Sequence, residues 1–173
     1  MTVPLYISAD NSVILESLYD TATEGYSNSA TVTLTLYRLL CSDGVTIASD
    51  ATLTAGSAPF VAGDAARSVV VLGAGANGAD LRTTIATYTN TGSVELTTSP
   101  SVTLTNTQVR ISVTNATAVS MAYLTSSNGK YRGTIDDDVV LQNGATYWIE
   151  VSADAGSDKK DFRVIEAIAR YRE

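Results

Sequence analysis

Histidine is absent from the 173-residue chain, and cysteine occurs once, at Cys41. Without histidine, a Ser-His-Asp or Cys-His catalytic arrangement is excluded. Zinc and other transition-metal sites are not expected either, because they normally need several His or Cys ligands. A single cysteine cannot form an intramolecular disulfide, so stability must come from packing. Cys41 ends an apolar run, which favours a buried side chain that packs as a small hydrophobic group.

Long apolar runs are also lacking. The chain has no stretch of about 18 apolar residues, so no membrane span is expected. It also has no basic region followed by an apolar one, so no signal peptide is expected. Charged residues make up only 17% of the chain, with a formal net charge of −7. Because an acidic surface repels phosphate backbones, nucleic-acid binding is not expected. The hydrophobic content of 45% is enough for a core, and the length suits one domain or one domain carrying a smaller insertion.

Good helix formers are scarce, whereas Thr, Val, Ala, Ser and Gly dominate, a composition that favours strands. Val32, Leu34 and Leu36 alternate with threonines, which predicts a half-buried strand over residues 30–39. Ser42-Asp43-Gly44 then predicts a hairpin turn. Further strands are predicted at residues 3–8, 12–19, 45–53, 68–72, 81–89, 93–97, 102–105, 108–113, 119–124, 131–135 and 147–151.

The closing segment, residues 161–171, fits both strand and helical spacing, and we favour a strand because the neighbouring elements are strands. Strands spaced about 8–12 residues apart with turn signals between them predict an all-β fold, a β-sandwich. Composition shifts at residues 54–59, where a glycine- and asparagine-rich stretch of short strands begins. We therefore expect a sandwich built from residues 1–55 and 114–173, with residues 56–113 as a small inserted β domain.

An apolar run over residues 68–72 leads into G-x-G-x-x-G, formed by Gly73, Gly75 and Gly78. This pattern is typical of a dinucleotide-binding turn. Such a site needs a helix after the glycines, because the helix N-terminus holds the pyrophosphate. Residues 83–89 contain five β-branched residues, which favour a strand, and Asp80 would repel a phosphate. We interpret the glycines as a loop between strands, and a nucleotide-binding enzyme as the weakest alternative.

Basic residues are concentrated near the C-terminus. Lys159, Lys160, Arg163, Arg170 and Arg172 all lie in the last fifteen residues. The simpler interpretation is a solvated terminal strand. The alternative is a docking strip for an acidic partner surface.

Two further patterns carry hypotheses about sites. Tyr147 and Trp148 are adjacent on one predicted strand, so alternation sends them to opposite faces. One is expected in the core and the other at an exposed face or interface, which makes Trp148 a candidate interface residue. Asp136-Asp137-Asp138 offers the oxygen ligands that Ca²⁺ takes, but it lacks the spacing of a known calcium loop, and a solvated turn is favoured.

The outer parts of the chain resemble a known family. The matching phrases are residues 13–20 (VILESLYD), 30–36 (ATVTLTL), 129–135 (GKYRGTI), 141–151 (LQNGATYWIEV) and the ending 169–172 (ARYR). Together they resemble the small immunoglobulin-like virion proteins of tailed bacteriophages, which occupy head–tail neck, head-surface, baseplate and fibre-base positions. The middle of the chain is similar to a small β module of phage tail spike and fibre proteins, through Phe60, Gly63-Asp64 and residues 69–75, 78–85 and 94–96.

This resemblance implies an immunoglobulin-like β-sandwich and a structural, non-enzymatic role in the virion. It carries over no catalytic, metal or cofactor-binding residue. The expected partners are portal, tail or capsid proteins and further copies of the chain, without nucleic acid, membrane or small-molecule substrate. A connector or fibre-attachment role at the neck or tail is favoured. A capsid decoration protein and a carbohydrate- or host-surface-binding module are the alternatives. The insertion departs from the simple family pattern and implies an additional contact surface.

Overall fold

A computed structural model of the chain describes residues 2–20, 24–156 and 160–172. Apart from two single 3₁₀ turns, at Ala62–Asp64 and Ala76–Gly78, the regular elements of these residues are β-strands. The all-β class predicted from composition and periodicity is therefore confirmed. The chain divides into two compact units, one comprising residues 1–37 and 113–173 and the other residues 38–112.

The first unit contains paired strands from both ends of the chain. Its strands are β1 (Val3–Tyr6), β2 (Asn11–Leu15), β3 (Tyr19–Asp20), β4 (Gly25–Tyr26), the first part of β5 (Thr31–Thr46), β11 (Val119–Tyr123), β12 (Tyr131–Ile135), β13 (Thr146–Asp154) and β14 (Lys160–Arg170). The order β1-β14-β13-β5 forms one set, with β1 parallel to β14. β2 pairs with β12 and β12 with β11, and β11 also pairs with β5.

Alternation along these strands builds the core of the first unit. Val32, Leu34 and Leu36 of β5 are buried, as the sequence predicted. The inward side chains of β13 are also buried, including Tyr147 and Ile149, and they join the same cluster as Leu34. Period-two burial thus places every second residue of β13 in the core and leaves the intervening ones on the outer face of the sheet.

The second unit is a closed six-stranded barrel. Its strands are the second part of β5, β6 (Thr52–Ala55), β7 (Ser68–Val71), β8 (Leu81–Asn90), β9 (Ser93–Leu96) and β10 (Leu104–Ser112). Hydrogen bonding runs β5-β10-β7-β8-β9-β6 and closes by pairing β6 with β5. Closure leaves no unpaired strand edge in the ring. Phe60, Val69, Ile85, Val94 and Ile111 fill the interior and are fully buried.

The barrel begins earlier in the chain than the sequence predicted. Its first boundary falls between residues 37 and 38 rather than at residue 55, and its second between residues 112 and 113. The physical reason is pairing and burial: β6 pairs with β9, and Cys41, Leu53 and Ala55 belong to the barrel core. The composition shift at residues 54–59 therefore marks a connection within the barrel.

The predicted hairpin turn at residues 42–44 is wrong. β5 continues through these residues to Thr46. The chain turns instead at residues 47–50, where the N–H of the last residue donates to the carbonyl of the first at 3.1 Å. Gly44 lies within the strand, where a Cβ would be 2.7 Å from Cγ2 of Val109. Glycine is needed there because the close approach of Val109 leaves no room for a Cβ. Close approach of this kind is a common reason for glycine within a strand.

The glycine-rich segment connects β7 to β8. These strands pair in antiparallel fashion, from Val71 opposite Leu81 to Ser68 opposite Thr84. The Asp80 carboxylate accepts a hydrogen bond from the Gly73 N–H at 3.1 Å, and this contact joins the two ends of the loop. A strand, not a helix, follows the glycines, so the loop has no helix N-terminus to hold a pyrophosphate.

Most other strand predictions agree with the structure. Residues 131–135 were predicted as a strand and form β12. The closing segment is the strand β14 and not a helix. The predicted strands at 102–105 and 108–113 are joined into the single strand β10.

Candidate functional site

The basic residues near the C-terminus do not form one strip. Lys159 lies outside the described residues. Lys160 is the first residue of β14 and pairs with Asp154, but only its backbone is described. Arg163 pairs with the Asp161 carboxylate at 2.9 Å and donates to the Glu16 carbonyl at 3.3 Å. Arg163 is thus engaged locally at one end of the strand.

Arg170 and Arg172 lie at the other end of β14, beside β1. Their guanidinium carbons lie 5.5 Å and 5.1 Å from the ring centroid of Tyr6, and Arg170 also reaches the Tyr6 hydroxyl at 3.5 Å. We call Tyr6, Arg170 and Arg172 the arginine cluster. Seven residues of extended strand, about 23 Å, separate Arg163 from Arg170. The predicted docking strip is therefore reduced to this two-arginine cluster plus the separate Arg163.

Trp148 lies on the outer face of β13 and Tyr147 lies in the core, so the two side chains occupy opposite faces as the alternation predicted. Tyr147 is anchored there by its hydroxyl, which accepts the Gln142 N–H at 2.9 Å. In the β13–β14 register Trp148 is opposite Glu166, and Ile168 and Val164 are two residues to either side of Glu166. Trp148 therefore lies opposite an exposed glutamate and diagonal to two exposed apolar residues of the neighbouring strand.

These residues form an outer apolar face on the sheet of the first unit. Phe162, Val164 and Ile168 of β14 are 44%, 43% and 40% exposed, and Trp148 is half-buried beside them. Large apolar side chains aligned on one sheet face indicate a contact surface. We call Trp148, Phe162, Val164 and Ile168 the outer apolar face.

Sequence reasoning identified Trp148 but not its three apolar neighbours. Alternation along 161–171 was visible, yet both alternate sets of β14 contain apolar residues, since Ile165, Ala167 and Ala169 lie on the core side. The pattern alone could not assign the core side. The missing information was the position of β1 and β13 relative to β14, which depends on long-range pairing.

The acidic segment after β12 forms a turn. Asp136, Asp137 and Asp138 are exposed, and the Val139 N–H donates to the Asp136 carbonyl at 3.2 Å. The Asp138 carboxylate accepts the Asn115 side-chain amide at 3.0 Å. Within the described ranges no group of three or more His, Cys, Asp or Glu side chains is arranged to hold a metal ion. Asp136 to Asp138 therefore form an exposed turn.

Two exposed carboxylates in the barrel are held in their ionised form by neighbouring donors. The Ser57 hydroxyl and amide lower the pKa of Asp43, at distances of 2.8 Å and 2.6 Å. The Thr52 amide and hydroxyl lower the pKa of Asp50. A depressed carboxyl pKa contributes stability that is present above the unfolded pKa and is lost as pH falls through the folded one. These contacts fix the backbone at residues 52 and 57.

Cys41 is buried in the barrel, as predicted, and burial raises the pKa of its thiol from 9.0 to about 11. Because the thiolate is the reactive form, we expect native protein at pH 8 to react with iodoacetamide about 100-fold more slowly than urea-unfolded protein. The raised thiol pKa also makes the free energy of unfolding depend on pH. The contribution of Cys41 to that free energy is fully present below pH 9 and is lost as pH rises towards 11. Mass spectrometry of the alkylated chain checks the rate. Equal rates in both states would contradict the burial.

Comparisons with known proteins give no relative. The chain matches no protein-family model, and neither a curated protein nor a solved structure is significantly similar to it. Across the described ranges, no helix has the length and apolar character needed to cross a membrane. The function must therefore be argued from the surfaces described above and from the sequence resemblance.

Proposed function

We propose that the chain is a non-enzymatic structural protein of a tailed-phage virion, acting in several copies at the head–tail neck or tail as a connector or fibre-attachment protein. The observation that carries this proposal is the outer apolar face. Large apolar side chains exposed on one face of a sheet, here on either side of Glu166, suit a permanent contact with another protein. The sequence resemblance to virion proteins supplies the class of particle.

We further propose that the first unit is an immunoglobulin-like sandwich. Two strand sets support this, β1-β14-β13-β5 and β2-β12-β11, which are joined where β11 pairs with β5. The first strand, β1, also pairs in parallel with the last strand, β14. This pairing brings the two ends of the chain into one sheet, as in sandwiches whose neighbouring strands are distant in sequence. The barrel, residues 38–112, begins within β5 and ends before β11, so it interrupts the chain of the first unit. The sequence also predicted an insertion, but with residues 56–113 as its bounds.

Mass spectrometry of purified particles tests the function directly. We expect the chain at several copies per particle, and cryo-electron microscopy is expected to locate it at the neck or tail. Absence of the chain from purified, infectious particles would overturn the proposal. Density restricted to the capsid lattice would instead favour the decoration role.

A charged residue on the outer apolar face should block incorporation without unfolding the chain. We expect Val164→Lys to fold normally, because Val164 is already exposed, and to be depleted from particles when produced during infection. Val61→Lys is the matched control, since Val61 is an exposed valine on the barrel unit. Particle content is measured by quantitative mass spectrometry. Equal incorporation of the two variants would remove the outer apolar face from the proposal.

A host-surface-binding module is the second candidate. Trp148 on the outer apolar face favours it, because sugars stack on aromatic rings that lie at a protein surface. A glycan array distinguishes the two roles: saturable binding that is lost in Trp148→Ala supports the binding module, whereas no binding favours assembly alone.

A further inference from the structure

A groove of about 450 Å³ opens between β1 and β2 in the first unit. Its floor is formed by Ile149 of β13 and Ile165 of β14, and Leu5 and Val13 contribute to its walls. Such a lining favours an apolar side chain. We call this cavity the edge groove.

The β1 side of the edge groove is closed to an added strand. Pro4 has no N–H to offer. The Tyr6 N–H and carbonyl are both taken by the Asn11 side chain, at 2.6 Å and 3.0 Å. An incoming chain therefore cannot form a backbone ladder along β1, and the groove is better suited to a projecting side chain.

One end of the edge groove is cationic. Arg172 lines it together with Tyr6, and Arg170 lies on the same ring. Within the part of the chain that the structure describes, neither arginine forms an ion pair with a carboxylate. Guanidinium groups pair well with carboxylates, often through two parallel hydrogen bonds. The groove is thus suited to an apolar side chain next to carboxylates.

The same chain carries such a group beside the groove. The acidic turn, Asp136 to Asp138, is followed by Val140, whose side chain is 82% exposed. The Asp137 N–H donates to the Asp10 carboxylate at 3.2 Å, and Asp10 lines the groove. The acidic turn and the arginine cluster therefore both border the groove on one surface of the first unit.

We propose that two copies of the chain associate through this surface about a two-fold axis. Val140 of each copy enters the edge groove of the other, and Asp136 and Asp137 face the arginine cluster of the other copy. This proposal rests on the proposed function, which requires several copies, and names the surface that joins them. Adjacent patches of opposite charge are self-complementary under a two-fold rotation, because each patch meets its opposite.

The net charge opposes association of two copies at most of their surface. Two chains of net charge −7 repel each other, and attraction is confined to places where a basic patch meets an acidic one. At the edge groove, the basic patch is the arginine cluster, and it can pair with the acidic turn of the other copy. The contact is consequently sensitive to ionic strength, since exposed charges are screened over about 10 Å at 0.1 M salt.

Charge exchange between copies tests the proposal by analytical ultracentrifugation of the full chain. We expect a dimer of wild type at low salt that weakens as salt is raised. Arg170→Glu/Arg172→Glu and Asp136→Lys/Asp137→Lys should each be monomeric alone, with dimer dissociation constants raised at least about tenfold. An equimolar mixture of the two variants should restore the dimer, because each groove then meets a turn of opposite charge.

Two further variants separate the contact from folding. Arg38→Glu changes an exposed arginine of the barrel unit that does not line the groove, and this variant should dimerise normally. Val140→Ser should keep the wild-type melting temperature, because its side chain is solvent-exposed, and still weaken the dimer. A monomeric wild type at low salt, or a dimer that survives the charge reversals, overturns the inference. Presence of the chain in particles would leave the proposed function standing in either case.

Discussion

Replacing Asp64 with alanine is expected to lower the free energy of unfolding of the barrel unit by about 3–5 kcal/mol. The Asp64 side chain is 1% exposed and pairs with Arg67 at 2.8 Å. Its other oxygen accepts the Val61 N–H at 2.9 Å, and Arg67 in turn donates to the Ser112 carbonyl. Removing the carboxylate leaves a largely buried guanidinium without its counter-charge and a backbone donor without an acceptor, which is why the loss is large.

Urea denaturation followed by circular dichroism measures this loss. Asp64→Asn keeps one acceptor oxygen and should lose less than Asp64→Ala. The double variant Asp64→Ala/Arg67→Ala should lose less than the sum of the single variants, because it no longer buries an unpaired charge. Additive losses would show that the two side chains are not coupled, contrary to this interpretation.

Local patterns predicted the strands because strand formation depends on near neighbours in the sequence. The alternation of Val32, Leu34 and Leu36 reports one buried face, and the structure buries all three. Asn128-Gly129 and Asn143-Gly144 mark turns because Gly129 and Gly144 take positive φ angles of 65° and 78°. Glycine adopts that conformation without the steric cost of a Cβ.

Long-range pairing was beyond the sequence pattern. Asp43-Gly44 has the residues of a hairpin turn, but whether Gly44 turns or packs depends on Val109, which is 65 residues away in the chain. The same limit moved the domain boundary, because the burial of Leu53 depends on closure of the barrel. Closure is a property of the whole ring of strands and has no local signature.

The candidate surface was predicted only in part, because it too depends on long-range strand pairing. Composition identified Arg170 and Arg172 as basic residues near the C-terminus, but only the parallel pairing of β1 with β14 places them on Tyr6. The outer apolar face likewise requires the β13–β14 register. The sequence therefore supplied the residue types of the surface, and strand pairing supplied their neighbours.

Tyr131→Ala is expected to lower the free energy of unfolding of the first unit by about 3–5 kcal/mol. Tyr131 is 1% exposed and packs against Tyr123 with ring centroids 5.6 Å apart. Its hydroxyl donates to the Ser27 carbonyl at 3.0 Å and accepts the Ala30 N–H at 2.9 Å. Truncation therefore creates a cavity in the core and leaves two backbone groups without their partner.

Tyr131→Phe separates these two effects. The ring stays in place, so only the two hydrogen bonds are lost, and the expected cost is about 1–3 kcal/mol. Hydrogen exchange should quicken at the Ala30 amide more than at amides of β12, because that amide loses its only described acceptor. Tyr171→Ala, at a side chain 63% exposed, is the control and should stay within about 0.5 kcal/mol of wild type. Equal unfolding free energies for Tyr131→Phe and wild type would mean that the hydroxyl does not anchor the segment preceding β5, and that burial of the ring alone accounts for the stability Tyr131 provides.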